Sequence, residues 1–269
     1  MATAQIDVFI PTYNSAAHLQ DCISSVRRAL PARRVVLLDH DSTDGTLKIA
    51  EREDCEVVRE DKGLGYARQL AIDLAETEVF AMVESDLVYS QFGWYEDALK
   101  LMQGMVGAVV VYVPRSASEE RGRYAEFWSR RTPLGERRHG FSAGSTLFRK
   151  EAVEGVHLPP FLNAYEDIYI MRQMRRRGWT YKTLEVAGTH HSDIQSSKKA
   201  RWYGANARLL YSVDPGDVTL VRRQLALPLM GLVAAIGSRS PSVFAWSLSF
   251  SANFLLGWSD PKRFSRLKR

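Results

Sequence analysis

Cysteine is nearly absent from this chain of 269 residues: Cys22 and Cys55 are the only two. That excludes a cysteine-ligated metal site and a disulfide framework, and spacing alone cannot argue for a single bridge between them. A basic segment ahead of the first apolar stretch is missing too. The chain opens MATAQIDVFIPTYN and enters a strand pattern almost at once, so no secretory leader is expected and the folded part is expected in the cytosol. No internal repeat or low-complexity tract stands out, which argues against solenoid and disordered classes. What remains is globular composition, 45% hydrophobic and 25% charged, enough for one large domain or a domain with an appendage. A net charge of +5 and a pI of about 9.2 favour an anionic partner, such as a nucleotide or a membrane surface. The basic residues collect in one loop and the tail, with no nucleic-acid reading module, so nucleic acid is not an expected partner.

The most informative stretch is VFAMVESDLVY, Val79–Tyr89. Val79 to Val83 form a continuous apolar run, the pattern of a strand covered on both faces. Glu84 and Asp86 follow, either side of Ser85. In extended backbone, residues two apart point the same way, so both carboxylates are expected to project from the strand's carboxyl end. Open α/β sheets bind ligands at that edge, and paired hard oxygens there suit Mg²⁺ or Mn²⁺ held together with phosphates. An acidic, solvated turn without a ligand is the alternative.

The N-terminal half reads as alternating strands and helices. Ile6–Ile10 is a strand that Pro11 is expected to end, and Thr12, Tyr13, Asn14 and Ser15 supply a turn and an N-cap for a helix over 16–30. Val35–Leu38 is a second strand, ending in Asp39; Ser42 or Thr43 can cap the helix after it, with Asp41 and Asp44 the favoured caps. Glu56–Arg59 is a third strand, and Lys62-Gly63-Leu64-Gly65 leads into a helix. With Val79–Val83 the pattern is β-α-β-α-β-α-β, the signature of a parallel doubly wound sheet. Beyond Asp86 the pattern loosens. A helix over 94–102, strands over 106–113, 141–149 and 179–185, and a helix from Glu166 to Arg177 ended by Gly178 are expected. Residues 115–139 read as a long loop with one helix around Tyr124–Arg130.

The C-terminal part differs. Residues 198–213 are amphipathic; Gln224–Ser238 and Ser240–Ser259 carry no charge, and Arg239 alone separates them. Arg222 and Arg223 precede the pair, and Lys262, Arg263, Arg266, Lys268 and Arg269 follow it. Two uncharged segments with basic flanks on one side fit a membrane hairpin. In-plane or shallow re-entrant helices and a buried helical pair are the alternatives.

Six motifs occur in one order: IPTYN (Ile10–Asn14), DHDSTDGT (Asp39–Thr46), KGLGYAR (Lys62–Arg68), ESD (Glu84–Asp86), AGSTLFR (Ala143–Arg149) and EDIYIMRQMRRRGW (Glu166–Trp179). Over roughly residues 6–212 the chain resembles family 2 glycosyltransferases. The resemblance implies an α/β fold of the GT-A type, a mixed sheet with helices on both faces, here followed by C-terminal hydrophobic helices. It implies a catalytic domain over 1–212 and a membrane-associated helical hairpin and basic tail over 213–269. The site residues it implies follow the motifs. Pro11, Thr12, Tyr13, Asp39, Gly65, Arg68, Glu84 and Ser85 match nucleotide-binding positions, with Glu84 where the family usually has Asp. Asp86 matches the metal ligand of the D-x-D motif, and His190 or His191 a metal-ligating histidine that some members carry. Asp167 matches the catalytic base, with Glu166 as the neighbouring candidate. Arg201 and Trp202 match part of the Q-x-x-R-W of processive members, but Gln195 lies too far upstream to complete it, so one sugar is expected per transfer.

The activity so implied is inverting, Mn²⁺- or Mg²⁺-dependent transfer from a nucleotide-diphospho-sugar, with GDP-mannose favoured. The acceptor would be a polyprenyl or dolichyl phosphate or a lipid-linked glycan, at the cytoplasmic side of a membrane, as in dolichyl-phosphate mannose synthase and its relatives. The competing expectation is a soluble enzyme using a UDP-sugar on a protein or glycan.

Overall fold

Strand residues alternate between two apolar layers. In β1 (Ile6–Thr12), Val8 and Ile10 enter one core and Phe9 the other; in β2 (Ala32–Asp39), Val35 and Leu37 oppose Val36 and Leu38; in β4 (Val79–Val83), Ala81 and Val83 oppose Phe80 and Met82. A sheet buried on both faces needs helices on both sides. On one side lie α1 (Ala16–Ala29) and α4 (Trp94–Leu101), burying Leu19, Ile23, Val26 and Trp94. On the other lie α3 (Leu64–Leu74), α6 (Lys150–Val153) and α7 (Glu166–Arg176), burying Ala67, Ala71, Val153, Ile170 and Met174. The computed structural model describes residues 5–113, 119–129, 141–191, 197–215 and 219–265.

With α2 (Thr46–Arg52), β3 (Glu56–Arg59), β6 (Val106–Tyr112), β7 (Ser145–Arg149) and β8 (Thr180–Glu185), these elements build a seven-stranded sheet in the order β3-β2-β1-β4-β7-β6-β8. β7 runs antiparallel to β4 and β6, so the sheet is mixed. β5 (Leu87–Tyr89) and β9 (Gly188–His190) pair separately and antiparallel. The chain divides into two compact units, one of Met1–Arg115, His139–Leu162 and Glu166–His191, the other of Ser116–Arg138, Asn163–Tyr165 and Ser192–Arg269. The second unit holds α5 (Glu119–Ser129), α8 (Ser197–Val213), α9 (Thr219–Gly237), α10 (Pro241–Ser259) and α11 (Pro261–Phe264). Within it, α10 packs on α8 and α9. Among the described residues one segment, Leu220–Gly237, is long and apolar enough to cross a membrane, and only 17% of it is buried.

Several local expectations need correction. Pro11 does not end β1, which continues to Thr12 in register with Asp39. Beyond Phe9 β1 pairs with β2 alone, and a residue without an N–H is tolerated where one side of the strand is free. Of the expected caps of α2, Ser42 bonds Asp39 and Thr43 bonds Asn14 instead, whereas Asp44, just before the N-cap position Gly45, does reach the helix start: it accepts from the Thr46 N–H at 2.8 Å and also takes the Ala16 N–H of α1 at 3.1 Å. The helix in the long loop spans Glu119–Ser129; residues 115–118 and 130–139 lie outside the described residues, as do Gln195, Arg266, Lys268 and Arg269. The strand expected over 141–149 forms only at Ser145–Arg149, the residues that pair with β4, of which Thr146, Leu147 and Phe148 also pair with β6.

At the sheet edge away from the acidic motifs, Asp7 is fully buried. It accepts from Arg33 Nε at 2.9 Å, Arg34 Nη2 at 3.3 Å and the Glu76 N–H at 2.8 Å. Burial works against its charge, but these donors hold its carboxyl below the ordinary range. Asp7→Ala strands two cations and one N–H. A loss of about 3 kcal/mol is expected, the low end for a broken buried pair, because Arg33 stays 39% exposed. Urea denaturation of the variant checks it; an unchanged midpoint contradicts it.

Candidate active site

β4 ends at Val83, so Glu84 and Asp86 lie in the turn beyond it and not on the strand. What brings their carboxylates together is β9. Its register sets His190 opposite Leu87, and His190 Nε2 comes to 2.7 Å from Glu84 Oε2 and 3.1 Å from Asp86 Oδ1. The ligand atoms of the three residues all lie within 4.8 Å of one another. One imidazole nitrogen carries at most one proton for two carboxylates, whereas a divalent cation satisfies all three at once. Two hard oxygens and one imidazole form a donor set suited to Mn²⁺ and also open to Mg²⁺. The fit is thus of the kind a divalent metal requires.

Of the two adjacent histidines, only His190 joins this group. His191 turns away, as successive residues of a strand do. It is exposed and stacks on His18 with centroids 4.2 Å apart, while its N–H donates to the Asp86 carbonyl at 2.9 Å.

The cluster continues inward through Arg68. Its guanidinium is 1% exposed and lies 4.0 Å from Glu84 Oε1 and 3.9 Å from Glu166 Oε1. Arg68 Nε and Nη1 are buried with no hydrogen-bond partner, so two strong donors remain for an acceptor. Glu166 and Asp167 occupy the first turn of α7, where the helix dipole favours anions. Burial first, then the neighbouring Asp167 charge, pushes the Glu166 carboxyl up to about 8, with Arg68 opposing. Asp167 is half-buried, and its Oδ1 accepts the Ile168 N–H at 2.7 Å.

The nucleotide-side candidates form a second group. Asp39 is fully buried; it accepts from Thr12 Oγ1 at 2.9 Å, Ser42 Oγ at 2.6 Å and the Ser42 N–H at 2.9 Å. Pro11 and Tyr13 are partly exposed, and the Tyr13 ring lies 5.5 Å from that of His40. Ser85 Oγ pairs with Ser15 Oγ at 2.9 Å, tying the acidic turn to the first loop. Gly65 packs on backbone: a Cβ there would lie 2.2 Å from the Leu162 carbonyl oxygen. Arg201 and Trp202 belong to α8 of the second unit, where Arg201 Nε donates to Asn253 Oδ1 at 2.7 Å and Trp202 packs on Tyr203.

Gly144 is a site residue that motif reading passed over. A Cβ on it would lie 2.1 Å from Glu84 Oε1 and 2.5 Å from Glu84 Cγ; the longer acid fits only against a glycine. Gly144→Ala is therefore expected to displace the Glu84 carboxylate and weaken divalent-metal binding by about 10–100-fold, the scale of lost ligand support. Adding Glu84→Asp, one methylene shorter, is expected to recover part of the loss. Calorimetric titration with Mn²⁺ reads both, and equal affinity for wild type and Gly144→Ala excludes the contact as a support.

The family profile described as Glycosyl transferase family 2 matches residues 7–156. The chain belongs to that family. It is 24% identical over 251 residues to the glycosyltransferase AglE of Haloferax volcanii, spanning 85% of this chain and 80% of that protein. Among solved structures it resembles the mannosyltransferase PcManGT from Pyrobaculum calidifontis, determined with GDP-Man and Mn²⁺, at a TM-score of 0.67 and 18% identity over 97% of this chain and 88% of that one. It also resembles glucosyl-3-phosphoglycerate synthase from Mycobacterium tuberculosis, at a TM-score of 0.57 and 17% identity over 78% and 81% of the two chains. The mixed seven-stranded sheet is that of the GT-A fold. The chain is a GT-A glycosyltransferase using a nucleotide-sugar.

Proposed function

We propose that this family 2 glycosyltransferase carries out inverting, metal-dependent transfer of a single sugar, with GDP-mannose the favoured donor, to a lipid-phosphate or lipid-linked glycan acceptor at a membrane. The carrying observation is the line of groups Asp86, His190, Glu84, Arg68 and Glu166, running from a metal-type donor set to the start of α7. Residues 1–212 form the catalytic domain and 213–269 the membrane-associated hairpin and tail. Glu84, Asp86 and His190 hold the divalent ion, which when bound stabilises charge on the departing diphosphate. Arg68 directs its two unpartnered donors at an anionic oxygen, a charge-assisted pairing. Pro11, Thr12, Tyr13, Gly65 and Ser85 shape the nucleotide site, and Asp39 fixes its loop through Thr12 and Ser42. Asp167 accepts the proton of an acceptor hydroxyl, beside Glu166, and Arg201 and Trp202 serve the acceptor side.

The donor preference is supported by the GDP-Man in the PcManGT structure. The membrane reading is supported by the apolar side chains that α9 and α10 leave exposed, among them Leu229 at 68% and Ile236 at 71%. The competing reading is a soluble enzyme with a UDP-sugar donor, favoured by the UDP-Glc bound to the mycobacterial synthase. Purified protein offered GDP-mannose, UDP-glucose and UDP-N-acetylglucosamine, with and without Mn²⁺ and a polyprenyl phosphate or lipid-linked glycan, separates them. Lipid-stimulated release of GDP is expected. Release of UDP with transfer of its sugar to a water-soluble acceptor establishes the competing reading instead.

A further inference from the structure

We infer that α9 and α10 enter one leaflet and return, so that the hairpin turn lies on the same side of the membrane as the catalytic sheet; this rests on the membrane reading above. α5 packs at the turn of the hairpin. Phe127 is buried with Ala234, Ala235 and Val243, and its ring lies so close to Gly237 that a Cβ there would come within 2.0 Å. Arg123 Nη1 donates to Ser240 Oγ at 2.8 Å, and the Tyr124 ring lies 5.7 Å from that of Trp246.

The connections of α5 fix its side. Six residues join it to β6, VPRSAS at 113–118, and fifteen lead on to β7, RRTPLGERRHGFSAG at 130–144. A crossing needs about 20 predominantly apolar residues; one link is too short, and the other is both short and charged. The helix therefore stays on the side of the sheet, and the turn it grips stays with it. Exposed Arg123 and Glu126 hold that end out of the hydrocarbon.

The other end is anchored in the same sense. α8 follows β9 after six residues, 191–196. It is locked onto the second half of α10, where a Cβ on Gly204 or Gly257 would meet the Phe254 or the Arg201 carbonyl oxygen at 1.8 Å. Exposed cations mark both ends of the hairpin: Arg222, Arg223, Lys262 and Arg263 at the open end, Arg239 at the turn. A spanning hairpin would carry Arg239 to the opposite surface, whereas one lying in a single leaflet sets every one of these charges at one layer of anionic headgroups. Between them, Leu225, Leu229, Leu232, Val233 and Ile236 form a single exposed stripe of α9 at helical spacing.

The test places one cysteine at the turn, Ser242→Cys, in full-length protein carrying Cys55→Ser, with Lys48→Cys in the same background as a reference on the catalytic unit. Both sites are exposed. Each protein is added to sealed phosphatidylcholine–phosphatidylglycerol vesicles, floated at low and high salt, and treated with a membrane-impermeant maleimide. The expected result is flotation that survives high salt, with both cysteines labelled equally before detergent. Flotation with Ser242→Cys labelled only after detergent shows a spanning hairpin and overturns the inference alone. Flotation lost in high salt shows adsorption by charge and also overturns it. No flotation at any salt removes the membrane reading itself.

Discussion

Asp86→Ala is expected to lower turnover by about a thousandfold or more, because a metal's electrostatic contribution to the transition state is several kcal/mol and each 1.36 kcal/mol is about a factor of ten. Asp86 Oδ1 and Glu84 Oε2 face the same imidazole nitrogen, so removing Asp86 takes one of two hard oxygens and leaves Glu84 with His190. Folding should be unaffected, since the Asp86 side chain is 32% exposed. His190→Ala should behave differently. It keeps both oxygens and removes the softer ligand, so Mg²⁺ should support the residual activity nearly as well as Mn²⁺. Turnover against metal concentration, for both ions and all three proteins, reads these effects. Near-wild-type, still metal-dependent turnover by Asp86→Ala places the ion elsewhere.

The metal cluster shows what could be read from residues and what could not. The apolar run Val79–Val83 and the two acids after it were legible, because burial and charge change abruptly there. Their convergence was not. Period-two geometry was the expected cause, but the strand stops at Val83, and the carboxylates meet because β5 and β9 pair. Three-residue strands leave almost no periodic signal, and their pairing joins positions a hundred residues apart in sequence. For the same reason the choice between His190 and His191 stayed open: it depends on one register. Gly144 was invisible because its constraint is the space occupied by another side chain. The mixed GT-A sheet, by contrast, followed from motif order, and β1, β2 and β4 from apolar runs that the sheet does bury on both faces, while β3 lies largely exposed at the sheet's edge.

The two acids that open α7 should separate by function. Asp167→Asn is expected to reduce turnover onto a hydroxyl acceptor by about 10²–10⁴-fold, the range for a lost general base, with little change in donor KM. The same variant should be nearly silent with a lipid-phosphate acceptor, since a phosphate monoester is largely ionised at neutral pH and brings its own nucleophilic oxygen. The ratio of the two rates therefore reports the acceptor class as well as the residue, and equal activity on hydroxyl acceptors moves the base elsewhere. Glu166 is a poorer base in the resting protein because burial and Asp167 hold its proton up to about pH 8. A raised folded-state value means that its contribution to stability is complete below its ordinary value of 4.5 and is lost as pH rises through about 8. Glu166→Gln keeps the neutral shape and cannot ionise, so its metal-free melting temperature should fall less than that of wild type between those two values. Parallel pH profiles of the two proteins would show that Glu166 is already ionised, and the proton Asp167 must share space with would then be absent.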